Sequence, residues 1–163
     1  MFLSLGLLVL VVVLDQLTKI WVVNSFHLYE SREIISGFFN FTYLTNKGAA
    51  FGFLAGVDGA WRHYFFLVLA CVALVILCIA WSRMRKDHPL YGPALALIAG
   101  GAIGNVIDRV RLGAVVDFFD FYVAGHHWPA FNVADSAITV GVALFLLTNI
   151  LEERQKKKIK EQE

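Results

Sequence analysis

Four long apolar runs constrain what this chain can fold into. They occupy residues 2–23, 64–81, 90–107 and 133–151. A helix needs about 20 mostly apolar residues to cross a bilayer, and each run has this length or nearly so. Hydrophobic residues make up 58% of the 163-residue chain and charged residues 17%, against roughly 45–50% and about 25% in soluble domains. We therefore expect a membrane α-helical fold of four transmembrane helices, forming a single integral membrane domain over residues 1–163.

The distribution of basic residues predicts how these helices are oriented. The short connection at residues 82–89 contains three Lys or Arg residues, and the last ten positions contain five more. Since an excess of Lys and Arg marks cytoplasmic segments, we expect both termini and this connection to be cytoplasmic. The longer segments 24–63 and 108–132 would then lie outside. The first run fits a signal peptide less well, because no basic residue precedes Phe2 and no small-residue cleavage site follows Val23.

The two outer segments contain patterns typical of ordered structure. Residues 39–43 alternate between aromatic and polar side chains, which is typical of a half-buried strand. Residues 115–123 are rich in Val, Phe and Tyr and indicate a second strand. Between them, residues 46–52 are mostly small and favour a turn or a close backbone approach. We expect a small sheet over the outer mouth of the bundle. The basic C-terminal tail is expected to bind anionic lipid headgroups rather than nucleic acid.

Two carboxylates, Asp117 and Asp135, lie beside hydrophobic segments where an acid is costly. If they converge they could share one proton, which is the condition for aspartic-protease chemistry. Each also has a simpler interpretation. Asp135 could cap the fourth helix together with Asn132, because the two residues have the N-cap and N3 spacing. Asp117 could be an ion-pair partner of Arg109 or Arg111.

Other polar residues near these acids leave two interpretations open. Asp120 lies three residues beyond Asp117, and strand alternation directs its side chain to the opposite face. Asp15 and Lys19 have the spacing of an intrahelical ion pair, although Asp15 could instead orient the outer catalytic groups. Gly100 and Gly104 have the spacing that allows a second helix to approach closely.

Several kinds of chemistry are not favoured by the sequence. His126 and His127 are adjacent and lack metal-ligand spacing, so we expect them at the surface. Cys71 and Cys78 would lie roughly 10 Å apart along a helix, too far for a disulfide. The chain contains no His-Glu-x-x-His motif, no Gly-x-Ser-x-Gly motif and no Gly-rich phosphate loop. We therefore expect neither a metal nor a cofactor.

Five motifs, taken in order, resemble those of the bacterial lipoprotein signal peptidases (signal peptidase II), a family of intramembrane aspartic endopeptidases. They are Asp-Gln-Leu-Thr-Lys at residues 15–19, Asn-Lys-Gly-Ala-Ala-Phe-Gly at 46–52, the Gly-rich stretch at 100–109, Val-Val-Asp-Phe at 115–118, and Trp-Pro-Ala-Phe-Asn-Val-Ala-Asp-Ser at 128–136. Together they touch three of the four apolar runs, all but residues 64–81, and both outer segments.

The resemblance implies a catalytic pair formed by Asp117 and Asp135. It also implies that five polar residues support the site or contact substrate: Asp15, Asn46, Asn105, Arg109 and Asn132. The family's fold adds an extracytoplasmic β-cradle and a short amphipathic helix to the four transmembrane helices. Its substrate is a prolipoprotein, cleaved N-terminal to a cysteine that already carries diacylglycerol. The implied location is the bacterial cytoplasmic (inner) membrane, with the site near the extracytoplasmic face.

Two other functions are compatible with the residues alone. A small proton-coupled transporter could use the same carboxylates, although such carriers often show repeat symmetry and place acids near the midplane. A non-enzymatic membrane scaffold could bind a partner through its outer sheet. A cleavage assay with a diacylglyceryl-modified prolipoprotein separates these alternatives from the peptidase.

Overall fold

The computed structural model describes residues 2–48 and 60–160. The helices are α1 (Phe2–Ser25), α2 (Ala60–Met84), α3 (Tyr91–Leu112) and α4 (Val133–Lys160). The strands are β1 (Ser31–Ile35), β2 (Phe39–Asn46), β3 (Val115–Val123) and β4 (His126–His127). All four helices are long and apolar enough to cross a membrane. This confirms the predicted membrane α-helical fold. Each helix extends at one or both ends beyond its apolar run, because polar flanking residues are also helical.

Helix α3 packs against α1, α2 and α4, and small residues allow the close approach. A Cβ atom added at Gly100 would lie 3.0 Å from the Leu8 carbonyl oxygen of α1. At Gly104 it would overlap the Asp15 carboxylate, and at Gly101 the Ala134 carbonyl of α4. The predicted packing role of Gly100 and Gly104 is confirmed.

Helix α2 presents much of its surface to the surroundings of the bundle. Val68, Val72 and Ile76 are among its exposed apolar side chains. Cys71 and Cys78 are also exposed, and both thiols are free. This agrees with the prediction that the two cysteines form no disulfide.

The strands form one antiparallel sheet in the order β1-β2-β3-β4. Strands β2 and β3 pair from Phe39 opposite Phe121 to Asn46 opposite Val115, with a register shift between Phe41 and Leu44. Both strands were predicted from the sequence, whereas β1 and β4 were not. Every residue of β1 is exposed, so it lacks the alternating pattern of a half-buried strand, and β4 has only two residues.

The sheet packs on one end of the helix bundle. Val22 of α1 and Phe26, which directly follows α1, form a buried cluster with Val116 and Phe118 of β3. Helix α3 ends at Leu112 and is capped by Gly113, whose left-handed backbone (φ 70°) lets its N–H donate to the Arg109 carbonyl oxygen. The chain then enters β3, which places Asp117 beside the end of α3.

One element implied by the family resemblance has no counterpart among the described elements. This is the short amphipathic helix. Residues 49–59 lie outside the described part of the chain, and so do the last four residues of the motif at 46–52.

Candidate active site

Asp117 is a buried acid on β3 whose side chain faces the bundle. It is 4% exposed, and its Oδ1 accepts a hydrogen bond of 2.7 Å from Asn132 Nδ2. The Asn46 side chain is a further hydrogen-bond partner. Burial, together with the nearby negative charge of Asp135, raises the pKa of Asp117 to about 7. Near neutral pH this carboxyl group is therefore protonated in a substantial share of molecules.

The alternative interpretation of Asp117 as a partner in a direct ion pair is not matched within residues 2–48 and 60–160. No ion pair in these ranges includes Asp117. The Arg109 guanidinium instead donates to the Asn105 and Gly48 carbonyl oxygens, at 3.4 and 3.5 Å. It lies close enough to Asp117 and Asp135 to interact with both charges.

Asp135 lies in the first turn of α4, and its predicted capping role is confirmed. The Asp135 N–H donates to Asn132 Oδ1 at 2.9 Å, and the Asn132 N–H donates to Asp135 Oδ2 at 3.3 Å. This is the reciprocal arrangement of a capping box. The remaining oxygen, Oδ1, accepts a hydrogen bond of 2.8 Å from Asn105 Nδ2. Oδ2 of Asp135 therefore takes part in the helix cap, while Oδ1 is hydrogen-bonded to Asn105.

Asn132 joins the two acids. It is fully buried, its side-chain amide donates to Asp117 and its backbone N–H donates to Asp135. The same Nδ2 also lies 3.2 Å from the Val116 carbonyl oxygen. Since one residue contacts both carboxylates, β3 and the start of α4 are held together where their acids converge.

Both acids face a cavity of about 1040 Å³ at this end of the bundle. Five of the seven predicted site residues line it: Asn46, Asn105, Arg109, Asp117 and Asp135. Asn132 lies behind the two acids and bonds to both of them. Asp15 lies deeper, fully buried between helices. The cavity wall also includes apolar side chains, among them Trp128, Phe131, Ile138 and Val140.

A second polar cluster lies below the cavity. The predicted ion pair between Lys19 Nζ and Asp15 Oδ2 is present at 2.9 Å. Lys19 also contacts Asp108 Oδ2 at 3.0 Å and Asn105 Oδ1 at 2.9 Å. The sequence patterns alone give Asp108 no role. The signal that could have identified it is its spacing of three residues from Asn105, which places both on one face of α3.

Asp120 has partners of its own, away from those of Asp117. Its carboxylate accepts from Asn40 Nδ2 at 2.9 Å and lies 2.7 Å from His127 Nδ1. His126 and His127 are exposed, as predicted, although the contact of His127 with Asp120 was not foreseen. Among the described residues, no group of three or more His, Cys, Asp or Glu side chains has the geometry to hold a metal ion.

A membrane bundle with two linked carboxylates at a cavity wall has the features of an intramembrane hydrolase of the aspartic type. A sequence model of the signal peptidase (SPase) II family matches residues 7–151. The chain therefore belongs to the signal peptidase II family. It is a membrane protease.

Individual relatives agree with this assignment. A lipoprotein signal peptidase of Geobacter sulfurreducens is 53% identical over 144 residues, which cover 88% of this chain and 89% of the relative. The lipoprotein signal peptidase of Syntrophus aciditrophicus is 45% identical over 148 residues, covering 91% of each chain. A bacterial membrane enzyme solved by the in meso method at 2.3 Å resolution has a TM-score of 0.85 and 33% identity, covering 96% of this chain and 92% of that chain. The transporter alternative receives no support from these similarities.

Proposed function

We propose that this protease removes signal peptides from prolipoproteins, cleaving N-terminal to a diacylglyceryl-modified cysteine. Asp117 and Asp135 form its catalytic pair. Five polar residues support the pair or contact substrate: Asp15, Asn46, Asn105, Arg109 and Asn132. One observation carries this assignment, namely that Asn132 is hydrogen-bonded to both carboxylates at the wall of the cavity.

The mechanism follows from the charges of the pair. Two neighbouring carboxylates do not both ionise cheaply, so one holds a proton near neutral pH. We assign this proton to Asp117, because burial and the charge of Asp135 raise its pKa to about 7. Asp135 takes a proton from water, and the water oxygen attacks the scissile carbonyl carbon. Asp117 donates its proton to the carbonyl oxygen, which yields a tetrahedral gem-diol without an acyl-enzyme.

The surrounding residues suit a substrate that is part peptide and part lipid. Asn46 and Arg109 line the cavity beside the acids and can bind the carbonyl groups of an extended peptide. The apolar wall near Ile138 and Val140 can accept acyl chains, since Val140 is an exposed residue of a helix able to cross the membrane. The concentration of basic residues at the opposite end of the bundle favours an extracytoplasmic location for the cavity in the bacterial cytoplasmic membrane. The basic tail would then contact anionic lipids on the other face.

The substitution Asp135→Asn tests the catalytic role of this acid against its capping role. Asparagine retains a carbonyl oxygen that can accept the hydrogen bond of the cap, whereas a lost cap would cost about 0.5–2 kcal/mol. The amide cannot exchange the proton that general acid–base catalysis requires. We therefore expect loss of turnover in a folded protein that still binds substrate.

Cleavage of a diacylglyceryl-modified prolipoprotein, thermal stability and substrate retention should be measured on the same Asp135→Asn sample. The unmodified prolipoprotein is the substrate control, and it should be cleaved far less by the wild-type chain. Normal cleavage by Asp135→Asn would exclude the aspartic mechanism. Equal cleavage of both substrates by the wild-type chain would exclude the proposed lipid requirement.

A further inference from the structure

Asp15, Lys19 and Asp108 form a buried ion triad between α1 and α3. The Lys19 side chain is 3% exposed, and it lies 2.9 Å from Asp15 Oδ2 and 3.0 Å from Asp108 Oδ2. Removing three charged groups from water is costly, and buried ion pairs can often be replaced by apolar residues without loss of stability. Stability alone therefore explains the triad poorly.

Each acid of the triad also holds a backbone N–H group next to one catalytic residue. Asp15 Oδ1 accepts from the Ala134 N–H at 2.9 Å, immediately before Asp135. Asp108 Oδ2 accepts from the Val116 N–H at 3.1 Å, immediately before Asp117. Lys19 binds both acids, so a single ammonium group connects the backbone of α4 with the backbone of β3.

Two neutral side chains extend these contacts. Lys19 Nζ donates to Asn105 Oδ1 at 2.9 Å, so that Asn105 Nδ2 is the group that faces Asp135 Oδ1 at 2.8 Å. Gln16 Nε2 lies 3.1 Å from both Asp15 Oδ2 and Asp108 Oδ1. Lys19 therefore also sets the orientation of the Asn105 side-chain amide, so that its NH₂ group points toward Asp135.

We propose that Asp15, Lys19 and Asp108 act as a clamp that sets the separation and orientation of Asp117 and Asp135. This inference rests on the proposed function of the two acids. The clamp residues are positioning residues, because they act through Val116, Ala134 and Asn105 rather than on substrate. A misplacement of about 1 Å at a reacting group can cost about 100-fold in rate, so loosening the clamp lowers kcat more than it weakens substrate binding.

The substitution Asp108→Asn tests the clamp because it keeps an oxygen for the Val116 N–H but removes the charge that pairs with Lys19. We expect kcat to fall by about 100-fold, with KM changed by less than about twofold. The acidic and basic limbs of the pH–kcat profile should move closer together, because acids held further apart share a proton less strongly. Hydrogen exchange of the Val116 amide should accelerate while exchange at Ala134 remains slow, and Asp15→Asn should produce the opposite pattern.

A matched control separates positioning from general loss of stability. Tyr91 is fully buried in the first turn of α3, and its hydroxyl lies 2.9 Å from Asn149 Oδ1 and 2.8 Å from Glu152 Oε2. Tyr91→Phe should lower the thermal stability while leaving kcat and the pH profile unchanged. If Asp108→Asn fails to fold, Gln16→Met provides the test, since it removes a neutral donor shared by both acids and should change the same quantities by smaller factors.

The possible outcomes distinguish this inference from the proposed function. The clamp would be overturned if Asp108→Asn had the kcat, pH profile and amide exchange of the wild-type chain. If Asp108→Asn does not fold, wild-type values of these quantities in Gln16→Met would overturn it. The clamp would also be overturned if Asp108→Asn lost only thermal stability, as expected for Tyr91→Phe. A wild-type chain that does not cleave, or an Asp117→Asn variant that does, would overturn the proposed function itself.

Discussion

Asp117 and Asp120 are both buried acids of β3, three residues apart, with different neighbours. Asp117 contacts Asn132 at the cavity, whereas Asp120 contacts Asn40 and His127. We expect Asp117→Asn to abolish turnover and Asp120→Asn to retain most of it, because only Asp117 faces the cavity. A cleavage assay on both purified variants checks this expectation. Loss of turnover in Asp120→Asn alone would mean that the catalytic face of the strand has been assigned wrongly.

The raised pKa of Asp117 also predicts how stability changes with pH. The pKa of this carboxyl is about 7 in the folded chain, against a reference value of 3.8. Between these values the folded chain retains a proton that the unfolded chain has released. The stability from this proton is fully present below the reference pKa and is lost as the pH rises through about 7.

Asp117→Asn removes this titration without changing the size of the side chain. Between about pH 5 and pH 8, the melting temperature of the wild-type chain should therefore fall more than that of the variant. Thermal unfolding in one detergent across this range measures the difference. Asp120→Asn serves as the control and should follow the wild-type trend, because its Asp117 is intact. Parallel curves for wild type and Asp117→Asn would contradict the raised pKa.

At the level of the helices, the contact of α3 with α1 depends on the lack of a side chain at Gly104. A Cβ atom there would overlap the Asp15 carboxylate. We expect Gly104→Ala to destabilise the fold by about 1–3 kcal/mol through overpacking, and to lower turnover because Asp15 must move. Thermal unfolding and cleavage by the same sample would measure both effects.

Gly6 of α1 provides the matched control for this substitution. An added Cβ atom at Gly6 would find no heavy atom within 4 Å. Gly6→Ala should therefore be neutral or stabilise the chain by up to about 1 kcal/mol, the usual gain for alanine in a helix. If both alanine variants behaved alike, close packing at Gly104 would not matter.

For the whole molecule, the prediction concerns orientation in the membrane. Basic residues cluster in the connection between α2 and α3 and at the end of α4, so both should face the cytoplasm. Single cysteines at Ser82 and Lys157 should resist a membrane-impermeant thiol reagent added outside intact cells. Ile35 is 52% exposed on β1, so a cysteine there should react.

These labelling experiments require a background in which Cys71 and Cys78 are replaced, since both native thiols are free. Permeabilised cells provide the control that the thiols at Ser82 and Lys157 are reactive once reached. External labelling at either position in intact cells would reverse the predicted topology, and the cavity would then open to the cytoplasm.

Local sequence patterns determined much of this fold. The four helices follow from apolar runs of sufficient length, and β2 and β3 from alternating or β-branched and aromatic residues. The cap formed by Asn132 and Asp135 and the pair formed by Asp15 and Lys19 follow from spacings of three and four residues on a helix. These features depend on neighbours in the sequence, which is why they could be predicted.

The tertiary structure decided which polar groups meet. Asp15 and the Ala134 N–H are separated by 119 positions in the chain, and Asn132 and Asp117 by 15. Motif resemblance named most of these residues, but no local pattern predicts their contacts, because they depend on how α1, α3, α4 and β3 pack. The same holds for β1, an exposed edge strand that is ordered by pairing with β2. The sequence by itself therefore determined the four helices, strands β2 and β3 and the acids present, whereas packing at one end of the bundle determined that Asp117 and Asp135 share Asn132.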